Sequence, residues 1–145
     1  MSDSLRLLGQ ERLEVLCGVW PEFGVSKGAQ EALIALFGYS DFIFEKAKRH
    51  EQVFKHLLTL CDSNFAQAAA PFEQFCPDFS TLNEAELMRQ LRLYRQLVMV
   101  EVAAKDFIGK QSIQQTMARL SLLADHFYQA CRHWAVVMLQ PRWGQ

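Results

Sequence analysis

An all-α fold, a helical bundle ending in a long antiparallel helical hairpin, is what the sequence predicts, and three observations carry the prediction. Apolar residues recur every three or four positions through most of the chain, as a helix with one buried face requires. No segment alternates apolar and polar residues in the manner of a half-buried strand. Two helix-start signatures, Asn83 with Glu86 and Ser112 with Gln115, stand on either side of Gly109, so two long helices joined by a short turn should fold back on each other.

The elements follow in order. Leu5, Leu8, Leu13, Leu16 and Val19 keep approximate helical spacing up to Trp20, where Pro21 blocks a straightforward continuation. After the turn-rich PEFGVSKG, the stretch AQEALIALF suits a short helix that Gly38 can end, because glycine adopts a left-handed backbone more cheaply than other residues. Ser40 is placed to cap DFIFEKAKRH, with Asp41 at the positive end of the helix dipole. A break near His50 precedes a helix through EQVFKHLLTLC. The stretch DSNFAQAAAPFEQFCPDFST has Pro71, Pro77 and several aromatics but no sustained period, and is expected to form a short helix plus loop covering a hydrophobic end of the bundle. Asn83 and Glu86 open a helix that runs to Phe107 or Ile108 before Gly109 stops it. Ser112 and Gln115 open the last helix, which places Ile113, Met117, Leu120, Ala124, Phe127, Cys131, Trp134 and Met138 at steps of three or four and is expected to end at Pro141.

Composition narrows the function. A chain of 145 residues is one ordinary domain, long enough to bury on the order of 70% of its unfolded surface. Half of its residues are hydrophobic and its net charge is −1, which speaks against disorder and against a globally basic nucleic-acid binder. Any electrostatic partner site must be local. No run approaches the roughly 18 apolar residues of a membrane span, and the N-terminus lacks a basic region followed by an apolar run. No membrane partner and a cytoplasmic location are therefore expected. Cys17, Cys61, Cys76 and Cys131 form no C-x-x-C pair and are expected to be reduced and mostly buried.

No motif assigns catalysis. The glycines make neither a dinucleotide-binding nor a P-loop pattern, and there is no G-x-S-x-G elbow. His50, His56, His126 and His133 form neither H-x-x-x-H nor H-E-x-x-H, and His126, Cys131 and His133 lack a clear single-face spacing. Glu84 with Glu86, or Glu101 with Asp106, could bind a cation or share a proton. First-turn acids, however, favour the helix N-terminus, and the others are expected to be solvated or salt-bridged. No catalytic residue, metal ligand or cofactor is assigned within the chain.

Arg89, Arg92 and Arg95 are the candidate binding residues. Steps of three turn them by about 300° each, so they drift around one side of their helix while Leu87, Leu91, Tyr94, Val98 and Val102 form the opposing apolar stripe. One reading is an anionic partner, phosphate or carboxylate, held by guanidinium forks. The other is that the arginine stems cover the edge of the core while their heads pair with acids on adjoining helices. Spacing alone favours the second.

These same residues carry a resemblance. LMRQLRLYRQLVMVEVAAKDFIG, followed by SIQQTMARLSLLADHFYQACRHWAVVMLQPRWG, is similar to the helical segment just before the first nucleotidyltransferase domain of the glutamine synthetase adenylyltransferase family, and YSDFIFEKAKRHEQVFKHLL resembles that family's N-terminal S-x-F helix and the one after it. The similarity runs from about Leu36 to Gly144 in one order. It implies a large bifunctional enzyme in which one unit transfers AMP from ATP to a tyrosine of glutamine synthetase and the N-terminal unit, matched here, removes it by phosphorolysis. It further implies Mg2+ and ATP/ADP for the parent enzyme, and glutamine and a PII-type signalling protein as regulators.

The family's L-R-x-F/Y-R falls on Leu91, Arg92, Leu93, Tyr94 and Arg95, and a later acidic position on Asp106. Glu101 departs from it, standing where an arginine is usual, and permits an Arg–Glu pairing between helices. The family's glycine-rich stretch and S-x-x-D-x-D carboxylates come downstream of W-G and are not in this sequence.

The expectation is thus that residues 1–145 form a single helical domain, the N-terminal part of a larger nucleotidyltransferase whose catalytic fold follows. By itself the chain would be inactive. Its function would be that of a scaffold and substrate-contact region, with an apolar docking surface around Trp134, Trp143 and the terminal turn. The alternative is a stand-alone helical protein–protein interaction module closing as a homodimer. Nucleic-acid binding through the arginine row is the weakest reading.

Overall fold

The computed structural model describes the backbone of residues 1–143 and the side chains of residues 1–140. In chain order the helices are α1 (Asp3–Val19), α2 (Lys27–Tyr39), α3 (Asp41–Arg49), α4 (Glu51–Asp62), α5 (Phe72–Phe75), α6 (Glu84–Phe107) and α7 (Ile113–Trp143). A 3₁₀ turn spans Phe79–Thr81, and there is no strand among the described residues.

Helix starts follow their caps. Ser2, Ser26, Ser40 and Asn83 each accept a hydrogen bond from an amide three residues ahead, satisfying a donor that has no partner within the helix. At α7 the box is reciprocal: the Gln115 amide donates to Ser112 Oγ at 3.1 Å, and the Ser112 amide donates to Gln115 Oε1 at 2.8 Å. Asn83 supplies only half a box, because the Glu86 carboxylate turns outward to Arg89. α6 stops where Gly109 takes a φ of +71°, and the amides of Gly109 and Lys110 bond back to the carbonyls of Asp106 and Lys105.

Four expectations shift. Gly38 lies within α2 rather than ending it. Its missing Cβ lets α1 approach, since a Cβ there would stand 2.5 Å from the Leu5 carbonyl oxygen. Gly9 of α1 meets the Ile34 backbone in the same way, so α1 is seated on α2 backbone to backbone. The α5 segment packs between α6 and α7 instead of covering an end of the bundle: Phe72 and Phe75 pack on the Tyr94 ring, and Phe79 packs on Phe72. α7 continues through Pro141 to Trp143; proline fixes a helix-compatible φ, so near a helix end it removes a donor without forcing a stop.

The apolar stripe of α7 is also rotated. Leu123 and Ala130 are buried, with Leu120, Phe127 and Trp134 partly buried beside them. Ile113 and Met117 are 75% and 64% exposed, and Cys131 and Met138 also face outward. Contacts with α6 run in reverse order along the two helices: Glu101 with Arg119, Tyr94 with Phe127, and Leu82, just before α6, with Trp134.

Two apolar clusters result. The first joins α1 to α4 around Leu16, Leu33, Phe37, Phe54 and Leu57, and α6 enters it with Leu97, Val100 and Ala104. The second joins α5, α6 and α7 through Leu87, Leu91, Tyr94, Val98 and Val102, the stripe expected from spacing. The two stripes of α6 are separated by roughly a third of a turn at 3.6 residues per turn. α6 is therefore the wall shared by both clusters.

Candidate functional site

Charge on α6 is arranged in two ways, and the difference begins with where each residue falls relative to its two apolar stripes. Glu101 falls between the stripes and is covered from both sides, with 1% of its surface exposed. A buried carboxylate must be paired and hydrogen-bonded. Oε1 accepts from His56 Nε2 of α4 at 2.8 Å and from the Ala69 amide at 2.6 Å. Oε2 accepts from Arg119 Nε of α7 at 3.1 Å, with Lys105 Nζ one turn further along α6 at 4.0 Å.

Burial by itself pushes the Glu101 pKa up. The His56 hydrogen bond, the Arg119 charge, the Ala69 amide and Lys105 outweigh that push and hold it below its ordinary value. The carboxylate thus ties α4, the 66–70 segment, α6 and α7 at one point. The Arg–Glu pairing that the sequence permitted at this position is made with Arg119.

The arginine row lies on the outer side of α6. Arg89 pairs with Glu86 at 2.9 Å, while Arg92 and Arg95 are exposed and make no ion pair among the described residues. His50, at the elbow between α3 and α4, faces this row across a half-open cleft of about 380 Å³ lined by His50, Arg89, Arg92, Leu93 and Gln96. Arg95 is not among the lining residues. The last turn of α3 adds Lys46, Lys48 and Arg49 nearby. Burial lowers the His50 pKa most, and the charges of Lys46 and Arg49 lower it further. Sequence reasoning found the arginines but missed His50 and Gln96, because nothing in local spacing places the α3–α4 elbow against α6.

The remaining candidates separate. Among the described residues, no group of three His, Cys, Asp or Glu side chains could hold a metal ion, and no helix is long and apolar enough to cross a membrane. Cys76 is buried and Cys61 half-buried, its thiol pushed up to about 12 by burial and then by Asp62. Cys17 and Cys131 are exposed, contrary to the expectation of mostly buried thiols, because they fall on the outer sides of α1 and α7. Trp134 turns inward, its indole N–H donating to the Leu82 carbonyl at 2.6 Å. The apolar surface of α7 lies elsewhere, on Ile113, Met117, Tyr128, Val136, Met138 and Leu139. The side chain of Trp143 and all of Gly144 lie outside the described residues.

What these features define as a class is an all-α protein with a basic cleft beside one helix and exposed apolar residues on another. The family model for Glutamate-ammonia ligase adenylyltransferase matches residues 30–145, which include α6, α7 and nearly all of α2 to α4. The chain belongs to that family.

Similar proteins include the bifunctional glutamine synthetase adenylyltransferase/adenylyl-removing enzyme of Shewanella frigidimarina, 33% identical over 136 residues that cover 89% of this chain and 14% of that protein. The protein of the same description from Shewanella woodyi is 30% identical over 133 residues, covering 87% of this chain and 13% of the relative. This chain thus spans about one seventh of the length of such relatives. No solved structure matches it.

Proposed function

We propose that this chain is the helical scaffold of the adenylyl-removing half of a glutamine synthetase adenylyltransferase, supporting an adjoining nucleotidyltransferase fold and contacting glutamine synthetase. Family membership over residues 30–145 supports the enzyme class. The observation that carries the scaffold role is the outward flank of α7, where Ile113, Met117, Tyr128, Val136, Met138 and Leu139 are exposed. Ile113, Met117, Tyr128, Met138 and Leu139 fall within about 100° of one another around a 3.6-residue helix, and an exposed apolar row of this kind marks an interaction surface. In this reading Mg2+ and ATP/ADP act in the nucleotidyltransferase fold outside these helices, and a PII-type protein regulates the assembled enzyme.

The test is the mass of the native protein in its source cells, read with an antibody against this segment. The reading expects a band far above 16.7 kDa. With the downstream unit present, Tyr128→Glu should then lower AMP removal from glutamine synthetase while AMP transfer persists. Unchanged removal would contradict the scaffold role. A band near 16.7 kDa, together with a dimer in sedimentation, would favour the stand-alone homodimeric module, in which the α7 flank closes on a second copy.

A further inference from the structure

We propose that the cleft between the α3–α4 elbow and α6 is a binding site for a phosphate-class anion, inorganic phosphate or a phosphate monoester, held by Arg92 with Arg89 and His50. The site is independent of the scaffold role. Its size, about 380 Å³, falls within the roughly 300–1,000 Å³ of small-molecule sites. Its donors come from two separate elements. Arg92 offers a guanidinium fork that no carboxylate among the described residues occupies. Arg89 spends Nε and one Nη2 contact on Glu86 and keeps its other N–H groups. His50 and Gln96 line the cleft with them, and Leu93 adds an apolar residue to its wall.

Charge favours a dianion over a carboxylate. Glu86 answers only Arg89, while Arg92, Lys46 and Arg49 make no ion pair among the described residues. A tetrahedral dianion presents three or more acceptor oxygens to converging forks, whereas a carboxylate presents two. Burial lowers the His50 pKa most, and the Lys46 and Arg49 charges that lower it further are charges an anion in the cleft would offset.

The experiment is a titration of this chain with inorganic phosphate, followed by NMR of the histidine imidazoles. Saturable movement of the His50 signals alone is expected, with His56, His126 and His133 unmoved. Arg92→Gln should weaken the apparent affinity about tenfold or more. Arg92→Lys, which keeps the charge but loses the fork, should fall between. Arg95→Gln, one step around the helix and outside the cleft, should leave it within about twofold. The proposal is overturned if the shifts are linear in phosphate, if all four histidines move together, or if Arg95→Gln weakens binding as much as Arg92→Gln, each of which means diffuse attraction to a basic surface. Equal affinity for acetate would overturn the phosphate class and leave a carboxylate site.

Discussion

Glu101 and Arg92 lie on the same helix nine residues apart, yet their electrostatic situations are opposite. Glu101 is sealed between two apolar clusters, and its oxygens meet His56, Ala69, Arg119 and Lys105. Arg92 lines an open cleft and has no ion-pair partner among the described residues. The difference teaches where charge holds the fold together and where it is left over for something else. Buried charge survives only if its neighbours are all supplied from within, and removing one partner leaves the others uncompensated. An exposed guanidinium carries no such obligation, so its loss should scarcely touch stability.

The comparison can be broken most severely at Glu101. Glu101→Gln strands Arg119 and Lys105 without a counter-charge, and the loss expected from breaking a buried ionic cluster is about 3–5 kcal/mol, read from urea unfolding. The same carboxylate sets a pH dependence. Its folded pKa lies below the ordinary 4.5, so its contribution is fully present above that value and fades as pH falls through the folded pKa. Acid unfolding of the wild type should therefore steepen below about pH 4.5, and the Glu101→Gln variant should lack that share of the slope.

Gly38→Ala probes the first cluster without touching charge. Alanine would gain about 1 kcal/mol of helix propensity, but its Cβ would collide with the Leu5 carbonyl. A net loss of about 1–3 kcal/mol is expected, with α1 amides exchanging first. Ser112→Ala removes one side of the reciprocal cap and should cost about 1 kcal/mol. Arg92→Gln should change stability by less than about 0.5 kcal/mol, which separates it from every variant above.

Much of this was legible in the sequence because it is local. Ser40, Asn83, Ser112 and Gly109 act on amides and carbonyls within a few residues, so their spacing is their mechanism. The Leu87–Val102 stripe was legible for the same reason. What spacing could not supply was the neighbour on the other side. α6 has two buried stripes, and a search for one apolar face finds only the stronger. The stripe expected on α7 mixed inward Leu120, Phe127 and Trp134 with outward Ile113, Met117 and Cys131, because a step of three or four fits two adjacent flanks of a helix. Gly38 reads as a terminator by type and serves as a contact point through a helix that comes from elsewhere in the chain. Of the candidate site, the arginines were visible, while His50 came from the α3–α4 elbow and the Glu101 partners from α4, the 66–70 segment and α7.

Urea unfolding of the wild type, Glu101→Gln and Arg92→Gln, each with and without inorganic phosphate, tests the division of labour along α6 most directly. A ligand that binds only the folded state stabilises it in proportion to its occupancy. The account predicts that phosphate raises the wild-type midpoint, that Glu101→Gln starts from a much lower midpoint but gains as much from phosphate as the wild type, and that Arg92→Gln starts near wild type and gains clearly less. Contradiction would take the form of an Arg92→Gln variant that is as unstable as Glu101→Gln, or one that phosphate still stabilises as much as it does the wild type.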